Sequence, residues 1–280
     1  MNGYLLCGLG AAVAWGSADF CAKKAATAFG FWPTVWAMNA VGALAMAGVW
    51  AGGGVVVRIA HLPLLIALAL GNALGGVFFY FALEHGPLAL VSPITAAYPV
   101  VSAVLAFALA GERLGPWLLA AVGGVIAGTL LASMGAGSDK RDHPRGSSAL
   151  LAAVVSAFVF GAVFFALAAN ASVTSATAPV LVFRWVGAIA LALPLFWGWR
   201  LPPALWRSGW IWATGLLDSF AYLLYAEGGK HLPVSIISAL SGLFTVWTLV
   251  LAVLFLRERL GWRQWIGVGL ILAGIAALVF

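Results

Sequence analysis

Apolar runs of about twenty residues, the length that carries a helix across a bilayer, follow one another along almost the whole 280-residue chain. They fall at 3–26, 33–52, 62–83, 88–110, 116–134, 148–170, 176–198, 208–228, 233–256 and 262–280. The connections between them are too short for a separate soluble domain. This pattern predicts an all-α integral membrane protein of ten transmembrane helices. Pro33, Pro63, Pro87, Pro116, Pro202, Pro203 and Pro233 sit at or near the predicted helix starts, where a missing backbone N–H costs little. Charge is scarce as well. Only 8% of residues are charged, against roughly 25% in a soluble domain, and the mean hydropathy is +1.08. Tyr4 to Ala22 is too long an apolar stretch, and too poor in preceding basic residues, for a cleaved signal peptide. It reads as the first span.

The chain repeats itself. Gly111-Glu112-Arg113-Leu114-Gly115 follows the fourth run, and Arg257-Glu258-Arg259-Leu260-Gly261 follows the ninth. An offset of 146 carries Pro87 to Pro233, Glu112 to Glu258, Gly123 to Gly269 and Gly128 to Gly274. The expected units are residues 1–134, a hydrophilic linker at 135–147 and residues 148–280. Five spans per unit is an odd number, so the second unit would enter the membrane from the opposite side. Such inverted repeats place the substrate site of many secondary transporters at their shared interface. Here they would enclose a central cavity.

The net charge of +6 does not indicate nucleic acid, because the basic residues stand singly or in small groups between apolar runs. They mark loops, and the side opposite the N-terminus holds 10 of the 14. Cytoplasmic loops are the basic ones, so both termini are expected outside the cytoplasm. Cys7 and Cys21 lack metal-ligand spacing, no Walker loop or cofactor motif is present, and nothing in the sequence specifies a partner subunit.

Polar residues inside spans are costly and default to functional roles. At about 100° per residue, Ser92, Thr95, Tyr98, Pro99 and Ser102 share one face of the fourth span. Ser238, Ser241, Phe244, Thr245 and Thr248 share the matching face of the ninth. These stripes are expected to line a cavity, although small hydroxyl residues also suit close helix packing. Asn72 and Asp218, 146 apart, occupy the middles of the third and eighth spans. Asp218 and Asp19 are the candidates for proton coupling, and the plainer alternative for either acid is a structural, hydrogen-bonded carboxylate paired with Arg184. The deep aromatics Trp15, Tyr80, Phe160, Phe164 and Tyr222 are candidates for the cavity wall. Most other Trp residues suit an interfacial belt.

Ser92-Pro93, Pro99-Val100, Glu112-Arg113-Leu114 and Gly123 to Gly128 resemble the repeat of the drug/metabolite transporter superfamily. Glu258-Arg259-Leu260, Gly267, Gly269-Leu270-Ile271 and Gly274 match it again, as do Trp15-Gly16-Ser17 and Arg184. The resemblance extends to the EamA-type ten-helix exporters and most of all to the aromatic amino acid exporters of the YddG type. It implies two inverted five-helix repeats around a cavity, alternating access, and export of amino acids or similar metabolites across a bacterial-type inner membrane. Two substitutions break the symmetry between the halves. Met38 stands where the second half has Arg184, and Thr245 stands where the first has Pro99, so the fourth and ninth helices are expected to bend differently.

The expectation is a non-enzymatic secondary exporter of a small amphipathic solute, without a cofactor or nucleic-acid partner. The alternatives are an intramembrane enzyme acting on a lipid or isoprenoid, which would need polar catalysts gathered near one interface, and a small-molecule channel.

Overall fold

In lipid every backbone N–H and C=O must be satisfied within the protein, and the helix does this locally. The computed structural model is accordingly helical throughout the residues it describes, which are 2–53, 61–111, 146–170, 175–196, 198, 200–257 and 261–277, with scattered positions between 116 and 131. The first half supplies α1 (Asn2–Phe29), α2 (Phe31–Ala51), α3 (Leu62–His85), α4 (Leu88–Thr95) and α5 (Tyr98–Ala110). The second supplies α6 (Gly146–Ala169), α7 (Thr177–Leu191), α8 (Gly209–Gly229), α9 (Val234–Gly242), α10 (Phe244–Leu251) and α11 (Trp262–Ala277). Seven helices among the described residues are long and apolar enough to cross a membrane. The Glu112 and Glu258 motifs and most of the fifth run lie outside the described residues, as does the linker except for Gly146 and Ser147, which already belong to α6.

The helix ends are tied to one another. Only Gly30, at φ 85°, separates α1 from α2, a conformation in which glycine pays no Cβ penalty. Beside it Glu84 accepts a bond from the Phe31 N–H at 2.6 Å, placing a carboxylate at a helix N-terminus, where the peptide dipoles favour it. Lys23 Nζ donates to the carbonyls of Leu83 and Gly86 at 2.6 and 2.8 Å, so a cation closes the C-terminal end of α3.

The two halves are interlocked rather than set side by side. The most extensive packing of α1 is on α8, and that of α3 is on α6. The pattern recurs when the halves are exchanged: α5 packs on α6 as α10 packs on α1, and α3 on α7 as α8 on α2. The second helices, α2 and α7, pack on each other. Matched bonds mark the repeated contacts. Ser102 donates to the Gly161 carbonyl at 2.8 Å, and Thr248 donates to the Gly16 carbonyl at 3.4 Å.

The fourth and ninth runs each break in mid-course, at Ala96–Ala97 and at Leu243. The expectation of unequal bending is therefore corrected at the level of the break, which occurs in register in both halves. Pro99 has no N–H to continue the α4 ladder. The ninth helix breaks without a proline, and its last turns then widen into a π-helix over Ala252–Leu256.

Close approach at glycine holds these crossings. A Cβ on Gly161 would lie 2.4 Å from Val101 Cβ and 2.9 Å from the Tyr98 carbonyl oxygen. Around Gly48, in α2, the space is open to 4 Å. Gly161→Ala should therefore destabilise by about 1–3 kcal/mol and lower the melting temperature of the purified protein in detergent. Gly48→Ala should hold or raise it, since alanine favours a helix over glycine by roughly 1 kcal/mol. Equal melting temperatures for the two variants would contradict the crossing.

Candidate functional site

A cavity lies where the two halves interlock. Its wall draws on both halves. From the first come Trp15, Ala18 and Asp19 of α1, Met38 and Asn39 of α2, and Asn72, Gly76, Phe79 and Tyr80 of α3. Thr95 and Tyr98 reach it from the two sides of the first helix break, and Phe244 from the second. Phe160 and Phe164 of α6 and Asp218 and Tyr222 of α8 complete it.

Helical geometry explains the aromatic wall. Phe160 and Phe164 are one turn apart on α6, as Asp218 and Tyr222 are on α8, so each pair presents one face. Trp15 stands edge-on to Tyr222, with ring centroids 5.2 Å apart, and to Phe164 at 5.3 Å. Tyr98 packs on Phe164 at 4.8 Å. Gly75 clears the way, because a Cβ there would come within 2.8 Å of the Phe160 ring.

Behind this wall sits a charge. Arg184 of α7 is wholly buried. Its Nη2 meets Asp218 Oδ2 at 2.5 Å, its Nη1 meets Met38 Sδ at 3.1 Å, and its guanidinium lies 5.0 Å from the centre of the Tyr222 ring. Asp218 Oδ1 accepts a second bond from Trp15 Nε1 at 2.8 Å. The carboxylate is thus bonded at both oxygens, and of the two intramembrane acids it is Asp218 that takes the structural pairing with Arg184. Gly42 makes room for it, since a Cβ there would fall 2.5 Å from Arg184 Cδ.

Asp19 is placed differently. It is buried and faces the cavity, and Ser92 donates to its Oδ2 at 3.0 Å. Among the described residues no cation lies within ion-pair distance of it. Asn72 accepts a short bond from the Tyr222 hydroxyl, joining α3 to α8. Two cavity-wall residues have a buried polar side-chain atom with no partner: Thr95 Oγ1, and Asn39 Oδ1, which packs against Gly187 of α7.

The EamA-like transporter family matches this chain twice, over residues 2–134 and 147–280. The chain belongs to the EamA-like transporter family. EamA membership makes it a multi-pass membrane transporter of small molecules, with a family repeat in each half. One solved crystal structure is similar over 98% of this chain and 95% of its own length, with a TM-score of 0.71 and 22% identical residues. That likeness concerns the fold. No curated protein matches the sequence.

The hydroxyl stripes divide once the partners are visible. Thr95, Tyr98 and Phe244 reach the cavity, whereas Ser92, Pro99, Ser238 and Ser241 do not line it. Ser92 holds Asp19, Ser241 meets the Tyr98 hydroxyl at 2.5 Å, and Ser238 meets that of Tyr225 at 2.8 Å. Pro99 is buried beside the break. Asn39, Phe79, Gly76 and Ala18 were not singled out from the sequence, and Met38 only as the counterpart of Arg184. Asn39 alone carried a usable signal, an amide in the middle of an apolar run.

Removing one partner of a buried ion pair leaves the other charge uncompensated, at a cost of about 3–5 kcal/mol. Asp218→Ala should therefore lower the melting temperature sharply. Adding Arg184→Met, the residue type that the first half carries at this place, should recover much of the loss. Thermal unfolding of both variants checks this, and a double variant no more stable than Asp218→Ala would count against the pair.

Proposed function

We propose that this EamA-family chain is a secondary exporter of amino acids, chiefly aromatic or other apolar ones, and of similar small metabolites. It works by alternating access in a bacterial-type inner membrane, with both termini outside the cytoplasm. In this reading ten helices form two inverted five-helix repeats, with residues 1–134 and 148–280 joined by the linker at 135–147. The observation that carries it is a cavity, built by both halves, that combines aromatic walls with an unpartnered hydroxyl at Thr95.

Each feature suits a transported solute. Trp15, Tyr98, Phe164 and Phe244 offer flat apolar faces. Broken helices commonly line transporter sites, and Thr95, Tyr98 and Phe244 flank the two breaks here. The exchange-symmetric packing of the halves supports a rocking motion of one against the other. Of the two acids offered for proton coupling, Asp218 is balanced by Arg184 while Asp19 is held by hydroxyl groups. The reading keeps Asp19 as the group that exchanges a proton.

The test is counterflow in proteoliposomes of the purified protein, with a panel of labelled amino acids. Saturable counterflow of aromatic or branched amino acids is expected. Thr95→Val removes an unpartnered hydroxyl with little change of shape, and should raise the half-saturation concentration about 3- to 10-fold, the worth of one hydrogen bond. Folded protein that exchanges no amino acid would overturn the substrate assignment.

A further inference from the structure

We infer that the cavity recognises its solute through a protonated amine, with Asp19 as the counter-ion. This inference rests on the transporter reading and narrows the substrate class to amine-bearing aromatic or apolar solutes.

Asp218 and Arg184 pair with each other, which leaves Asp19 as the acid on the cavity wall with no cation within ion-pair distance among the described residues. Lys23, one turn further along α1, turns its Nζ to the carbonyls of Leu83 and Gly86. A carboxylate inside a low-dielectric wall is stabilised most by an opposite charge held close to it, and a bound ammonium group would supply one.

The hydrogen-bonding inventory has the same sense. Donors on the wall are engaged by the protein: Trp15 Nε1 by Asp218, the Tyr222 hydroxyl by Asn72, the Tyr98 hydroxyl by Ser241, and Asn39 Nδ2 by the Val35 carbonyl. Thr95 Oγ1, by contrast, is unpartnered. An ammonium group brings three N–H donors and no acceptor. Neutral donors remain in the Asn72 amide and the Tyr80 hydroxyl, and neither carries the charge that would balance a carboxylate. The surrounding rings add their negative faces, which attract cations.

Phenethylamine and 3-phenylpropionate share a ring and a chain length and differ in charge. Their binding to the full-length protein in detergent is read directly by calorimetry, beside counterflow of labelled phenylalanine in proteoliposomes. Phenethylamine is expected to bind at least about tenfold tighter than 3-phenylpropionate. Asp19→Asn should weaken phenethylamine at least about tenfold, and Asp19→Glu should restore most of its binding. Melting temperatures of the unliganded variants report folding, and if Asp19→Asn does not fold, the amine-to-acid ratio in the wild type decides alone. Equal binding of the two probes, binding of neither, or unchanged amine binding in a folded Asp19→Asn overturns the inference. Phenylalanine counterflow in any of those cases leaves the exporter reading standing. Asp19-dependent amine binding with no counterflow of any solute has the opposite meaning: the inference holds and the transport reading fails.

Discussion

The fold is organised around one buried guanidinium. A charge taken out of water is costly unless it is paired and hydrogen-bonded, and Arg184 lies at full burial between the halves. Its needs set the positions of several neighbours. Asp218 must face it, Gly42 must lack a side chain, and Met38 must offer a soft sulfur where a second arginine would repel. Trp15 is fixed in turn through the other oxygen of Asp218. Because Trp15 and Met38 belong to one half while Arg184 and Asp218 belong to the other, this group of side chains also ties the halves together.

Met38 and Arg184 are repeat-equivalent positions, 146 apart, and they touch. The ion pair therefore lies where matching positions of the two family repeats come together. The cavity opens beside it, and its two ends of the comparison are chemically unlike. Tyr98 faces Phe244, and Asn72 corresponds to Asp218. Matching positions of the two repeats thus carry different side chains at the cavity.

Much of the fold could be read from the sequence because lipid allows few alternatives. Apolar runs of spanning length must be helical, and the runs beginning at Leu62 and Leu88 start where they were expected. Residues of the cavity wall were legible where a polar or large aromatic group interrupted such a run, as at Asn72, Asp218, Trp15 and Phe164. The stripe of hydroxyls was a weaker guide. A helical wheel gives the face a residue occupies but not what meets it, and so Ser92, Ser238 and Ser241 share a face with Thr95 yet bond to protein. The break at Leu243 had no proline to announce it.

The sequence by itself determined that this chain is helical, that it repeats at an interval of 146, and that its polar mid-span residues are few enough to matter. Those properties follow from local backbone chemistry and the length of each run. Tertiary structure decided which acid received the arginine. Asp19 and Asp218 are alike as mid-span carboxylates, and nothing in their local sequence ranks them. Packing of α7 against α8 places Arg184 on Asp218, while packing of α1 against α4 gives Asp19 a serine. The long-range contacts, not the residue types, separate the structural acid from the one left facing the cavity.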